Sequence, residues 1–144
     1  MKRIILLTLL CTTTILMAQR INHIQEAIAD YDYETALILI AKEKTTIPLL
    51  LQKGKAQRGL GLNAEALSTY QEIIANDTAN TRAYIEAAEC CRSLAKNQQA
   101  LKYYEQALDL NPENKYVRIQ YIGLLLSLQK FQEALGESSL MTEK

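Results

Sequence analysis

Apolar residues recur along this chain at three- and four-residue steps, the spacing of one face of an α-helix. Residues 98–110 show it most cleanly, with Ala100, Leu101, Tyr104, Ala107 and Leu108 on one stripe. Comparable stripes predict helices over about 20–31, 33–44, 47–60, 63–76, 81–95, 97–110, 112–128 and 131–142. No β pattern interrupts them, so the expected class is all-α. One stretch departs from a simple stripe. Residues 112–128 are apolar nearly all round, with Tyr116, Val117, Ile119, Tyr121, Ile122, Leu124, Leu125, Leu126 and Leu128. Such a helix requires burial on more than one side. The helix after it contains Gly136, which costs about 1 kcal/mol relative to alanine, and its tail from Ser138 to Lys144 is polar and short.

Four alanines, at 36, 66, 100 and 134, hold the same place in a recurring pattern of small and aromatic residues. Their intervals are 30, 34 and 34 residues. A fixed period of this length marks stacked supersecondary units. Alanine suits positions where two helices approach closely, because a larger side chain would push the axes apart. The clearest unit spans residues 81–114, with Tyr84, Ala88, Ala100, Tyr104, Ala107 and Pro112 at set spacings. This unit resembles the tetratricopeptide repeat, although Ala87 and Cys91 replace the leucine and tyrosine usual there. Residues 47–80 keep Gly54, Gly61, Ala66 and Tyr70, with Ile73 and Thr78 departing; residues from 115 keep Phe131 and Ala134, with Ile122 departing. Tyr33 and Ala36 mark a degenerate first unit. The resemblance implies a right-handed α-solenoid of stacked antiparallel helix pairs, about 3.5–4 repeats, at about 19–46, 47–80, 81–114 and 115–144.

Punctuation fits that frame. Asn63 and Asn97 are expected to cap the second helices. Asn111 and Pro112 repeat the logic for the next helix, since proline in the first turn loses no useful donor. Gly59 and Gly61 are expected to permit the reversal between paired helices. Asp77 or Thr78 is expected to cap the helix that follows. The same segment offers a competing reading. Asn76, Asp77 and Thr78 form an N-glycosylation sequon, and Asp77, Thr78 and Ala79 resemble a short O-glycan acceptor of some bacteria.

The first eighteen residues stand outside the repeats. Lys2 and Arg3 precede an apolar run from Ile4 to Met17, and Ala18 precedes a cleavage point before Gln19. This pattern reads as a secretory signal peptide. A membrane anchor is the alternative, but the run is short of the roughly 20 residues a span needs. A lipidated Cys11 is another, although Leu10 is large for that motif. Removing Lys2 and Arg3 leaves fourteen basic residues against sixteen acidic ones. That balance gives no basic footprint for nucleic acid, and the mature chain carries no integral membrane segment.

Little catalytic chemistry is legible. His23 is the single histidine, and a metal site needs several placed partners. No nucleophile elbow, phosphate loop or zinc-protease motif occurs. Ser138 and Ser139 have no base nearby in sequence, and Glu65, Glu72 and Glu105 fall on faces expected to be solvated. No cofactor is expected. Cys90 and Cys91 are adjacent. In an exported chain a pair invites a disulfide, but neighbours in a helix diverge by about a hundred degrees, so buried thiols are the preferred reading.

The resemblance places function on the first helix of each pair, which lines a concave face in this family. The matching positions are Leu51, Lys55 and Arg58, then Arg82, Ile85, Glu89 and Arg92, then Tyr116, Ile119 and Gly123. Apolar in the middle with a basic bias, this set suits an extended or helical peptide carrying carboxylates. It lacks the lysine–asparagine pairs of the clamp that grips chaperone C-termini. Ordinary solvated faces are the alternative. The expectation is therefore a non-catalytic protein–protein scaffold, exported to a periplasm or outer-membrane compartment. A recruiting part of a larger envelope protein is a second reading. The apolar 112–128 helix adds a third: homo-oligomer formation, or further repeats, at that end.

Overall fold

The computed structural model describes residues 18–141, and every regular element among them is an α-helix. In chain order these are α1 over residues 18–29, α2 (Tyr33–Ile40), α3 (Ile47–Gly59) and α4 (Asn63–Asn76). They continue as α5 (Thr81–Ser93), α6 (Asn97–Leu110), α7 (Lys115–Ser127) and α8 (Phe131–Ser139). The expected signal segment lies outside the described residues, apart from Ala18. Within each unit, turns of a few residues make sequential helices antiparallel neighbours, so the class is all-α, in helix pairs of the solenoid kind. No helix among the described residues is long and apolar enough to cross a membrane.

The chain forms two compact units, one ending at Gly61 and one beginning at Leu62. In the first, Ile24 and Ile28 of α1 meet Ala36 and Ile40 of α2 and Leu49 and Ala56 of α3, with Tyr33 and Leu37 packed alongside. Gly59 acts here in a way its sequence context did not suggest. It closes α3 as a helical residue, and a Cβ there would lie 2.2 Å from the Tyr33 ring. Close packing, and not the turn, requires this glycine.

In the second unit each helix packs on the next, α5 against α6 most extensively. Ala66, Ala83, Ala87, Ala88, Ala100 and Ala107 are completely buried, alongside Tyr70, Ile73, Tyr104, Val117 and Leu125. The methyl side chains let the axes close up, and each large apolar group removed from water stabilises by about 1.5–3 kcal/mol.

The turns carry the same period as the alanines. Tyr31, Gly61, Ala95 and Gln129 all have positive φ, at 62°, 75°, 56° and 60°. After three of them the next amide bonds back across the helix end: Asp32 N to Ala27 O at 2.8 Å, Lys96 N to Cys91 O at 2.8 Å, and Lys130 N to Leu125 O at 2.9 Å. This is the Schellman closure, with a left-handed residue at its corner. Glycine fills that corner only at Gly61.

Capping corrects the expectation. Asn63 and Asn97 are the first helical residues of α4 and α6, and the cap positions are Leu62 and Lys96, neither with a side-chain cap bond. In the last three pairs side-chain caps sit instead before the first helix. Thr46 accepts from Leu49 N at 3.4 Å, Asn80 from Ala83 N at 3.1 Å and Asn114 from Val117 N at 3.1 Å. Asp77 supports the Asn80 cap, accepting from its amide at 2.9 Å. Pro112 lies in the turn before α7, where Asn114 N reaches Asn111 O at 3.2 Å. Asp32 caps α2, and accepting hydrogen bonds from Thr35 holds its carboxyl below the ordinary range.

Candidate functional site

The α5–α7 face is organised by a polar chain that begins at a buried ring. Tyr104 of α6 is fully buried, yet its hydroxyl reaches the surface of α5 and donates to Glu89 Oε1 at 2.5 Å. Arg92 Nη1 donates to the same tyrosine oxygen at 3.3 Å and to Gln120 Oε1 of α7 at 2.8 Å. Glu89 also pairs with Arg92 at 3.6 Å. Four side chains thus tie three helices together. Burial, then the bond to Glu89, pushes the Tyr104 phenol well above its ordinary pKa. The bond to Tyr104 in turn holds Arg92 firmly cationic.

Beside this chain the face is apolar and open. Tyr116 is 58% exposed and Ile119 54%, Ile85 is half-buried, and nothing lies within 4 Å of where a Cβ would stand on Gly123. Arg82 is paired with Glu86 at 4.0 Å on its own helix. Both arginines of this face therefore stand next to a carboxylate, which reduces the basic bias expected from sequence. Arg82, Ile85, Glu89, Arg92, Tyr116, Ile119 and Gly123 all belong to the second unit. Leu51, Lys55 and Arg58 are on α3 of the first unit, with Lys55 exposed and the other two half-buried.

In the sequence Tyr104 reads as a packing residue only, and nothing there marks Gln120. Of the other packing positions, Gly54, Ala66, Tyr70, Tyr84, Ala88, Ala100, Ala107 and Ala134 are buried. Phe131 and Pro112 are exposed and pack no core. Phe131 opens α8, on a side that no described helix covers.

A second polar cluster clamps α6, α7 and α8. Tyr121 donates to Glu105 at 2.6 Å, Arg118 pairs with Glu137, and Arg118 Nη2 donates to Pro112 O at 2.8 Å. Burial and the Glu105 bond push the Tyr121 phenol up as well. A shallow cavity of about 300 Å³ opens between these residues. Elsewhere, Cys90 and Cys91 are both buried and carry thiols. Burial raises the Cys91 pKa and so suppresses its thiolate. His23 is exposed on α1, and no cluster of three or more His, Cys, Asp or Glu side chains suited to a metal occurs among the described residues.

Two sequence models of the family described as tetratricopeptide repeat match residues 51–114 and 94–137. No curated protein matches the chain in sequence. Solved structures share its fold at low identity. A tetratricopeptide repeat protein from Parabacteroides merdae is 22% identical with a TM-score of 0.79, over 88% of this chain and 52% of that one. This chain therefore spans about half that protein's length. The first tetratricopeptide domain of Spaghetti (RPAP3), bound to an HSP90 peptide, is 21% identical with a TM-score of 0.70, over 75% of this chain and 89% of that one. PcrH of Pseudomonas aeruginosa, in complex with the chaperone-binding region of PopB, is 19% identical with a TM-score of 0.65, over 75% and 93%.

Proposed function

The chain belongs to the tetratricopeptide repeat family, and from that premise we propose that it is a non-catalytic scaffold that binds a protein segment along its α5–α7 face. The observation that carries this reading is the exposed Tyr116–Ile119 pair beside an arginine already held in place. An apolar side chain of the partner would cover Tyr116 and Ile119, gaining about 25 cal/mol for each Å² removed from water. Arg92 is fixed by Tyr104 and Gln120 before anything binds, so little side-chain freedom remains to be lost. Its guanidinium suits a carboxylate or a backbone carbonyl of the partner. Gly123 leaves room for a close backbone approach. The peptide-bound RPAP3 domain and the PcrH–PopB complex support the reading, since both put this fold to work on a protein segment. Leu51, Lys55 and Arg58, on α3 of the first unit, are candidates for a contact of that unit's own. The leader pattern in residues 1–18 favours an exported protein of the cell envelope as the setting.

The test is a photo-crosslinking residue at position 119 in the native host, followed by affinity measurement with the captured partner. Ile119→Glu is expected to weaken that binding at least about tenfold, the effect of losing 1.4 kcal/mol. Unchanged affinity would reject this face.

A further inference from the structure

Two turns join successive helix pairs in the second unit, and they share one geometry. Residues 77–80 lead from α4 to α5, and residues 111–114, thirty-four positions later, lead from α6 to α7. Asp77 and Asn111 have φ, ψ of −145°, 89° and −143°, 82°. Each turn closes with a 3.2 Å bond, from Asn80 N to Asp77 O and from Asn114 N to Asn111 O. Each ends in an asparagine cap at 3.1 Å. The second residue is where they part. Pro112 fixes its φ in advance, as suits that place in a turn, and its counterpart is Thr78. Thr78 is exposed, and its hydroxyl makes no hydrogen bond among the described residues. Thr46, by contrast, uses its hydroxyl as a cap. The fold therefore gains nothing from a hydroxyl at residue 78 that proline would not supply.

The neighbours of Thr78 are committed elsewhere. Asp77 Oδ1 accepts from Ala79 N at 3.2 Å and Oδ2 from Asn80 Nδ2 at 2.9 Å, so this carboxylate is folded into the turn. Asn76, which heads the sequon, is the last residue of α4, and its amide nitrogen donates to Glu72 O at 2.7 Å. That nitrogen is the atom an N-glycan would need. We propose that Thr78 is a modification site whose Oγ1 carries a neutral sugar. Asp77, Thr78 and Ala79 keep the acid–hydroxyl–methyl order of the bacterial O-glycan acceptor, and the turn leaves free the one atom that transfer needs. Ala79 beside it is small and exposed, so an enzyme can reach the hydroxyl. In the transfer step Oγ1 attacks the anomeric carbon of a glycosyl diphosphate. A C–O bond forms between sugar and threonine, the bond to the diphosphate breaks, and the diphosphate leaves with the electron pair. The hydroxyl proton passes to a base of the transferase. A phosphate on the same oxygen would set like charge beside Asp77, whereas a sugar adds none. The proposal rests on the export reading of residues 1–18 and is independent of binding on the α5–α7 face.

Peptide mass spectrometry of the chain isolated from its native host tests it. Trypsin cuts after Arg58 and Arg82 and releases residues 59–82 as one peptide, so Asn76 and Thr78 are read together. Electron-transfer fragmentation then places any added mass on one residue. The expected result is a sugar mass on Thr78, retained in Thr78→Ser and Asn76→Gln and absent in Thr78→Pro. Because Thr78→Pro copies the sister turn, its circular dichroism should match wild type. An unmodified Thr78 in a chain that has lost its leader overturns the inference by itself. An unmodified Thr78 in a chain that keeps residues 1–18 overturns it through the export reading. A sugar on Asn76, a phosphate on Thr78, or a Thr78→Pro chain that fails to fold overturns it too.

Discussion

Residues 81–110 and 115–139 are built on one period, yet they differ wherever the period has no say. Ala100 and Ala134 hold the same place, and both are buried. Leu101 and Leu135 also hold the same place, but one is covered and the other bare. The helix-pair signature governs the contact between the two helices of a unit. Coverage of the second helix depends on the neighbour that follows. One unit is thus covered on both sides, and among the described residues the other is bare on its outer side.

The sharpest way to break the comparison is to overfill both alanine sites. Ala100→Leu forces a branched side chain into the most extensive helix contact among the described residues and should cost about 3 kcal/mol. Ala134→Leu meets the same partner helix type but can push α8 outward into solvent, so about 1 kcal/mol is expected. Urea unfolding of the two variants measures this, and equal losses would show that the last pair is packed as firmly as the inner one.

Next in size are the two hydroxyl anchors. Tyr104→Phe removes the hydroxyl donor of the half-buried Glu89, leaving only its pairing with Arg92, and should cost about 2 kcal/mol, since a bond to a charged group is lost. Tyr121→Phe should cost about 1 kcal/mol, because water can take over at the exposed Glu105. The pair also sets an alkaline limit. Both phenols are raised above the ordinary value, so an unfolded chain releases these protons near pH 10 while the folded one keeps them. Their contribution is fully present below about pH 10 and falls as pH rises beyond it. Urea midpoints should drop above that pH, with a shallower slope in Tyr104→Phe than in wild type.

Much of this was legible in the chain, and the gaps have physical causes. The alanine period located the close contacts because methyl side chains recur wherever axes converge, and Ala36, Ala66, Ala100 and Ala134 are all buried. Asn63 and Asn97 resemble caps in the sequence, but each lies one residue inside its helix. Thr46, Asn80 and Asn114, which do cap, share the same 34-residue spacing, so the signal is present but attached to the other helix in the last three pairs. The Arg92 network was hidden for a different reason. Gln120 lies 28 residues from Arg92, and only the stacking of α7 brings them together. Asn80→Ala should therefore cost about 1 kcal/mol in urea unfolding, the usual value of a lost cap, and clearly more than Asn97→Ala.

The smallest expected effect concerns the corners. Ala95 and Gln129 take the left-handed conformation that Gly61 takes in its own turn. A side chain there costs about 1–2 kcal/mol in steric strain, while glycine's extra freedom in the unfolded chain returns part of any gain from removing it. Ala95→Gly and Gln129→Gly should thus each stabilise by about 0.5–1 kcal/mol. The two need not be equal in rate. Ala95 lies between the most extensively packed helices, and Gln129 lies at the barer end. If α7 and α8 dock late in folding, Gln129→Gly should appear mainly as slower unfolding, and Ala95→Gly in part as faster folding. Chevron plots of the two variants would show whether the covered unit also forms first; identical partitioning would mean that the repeats fold as one.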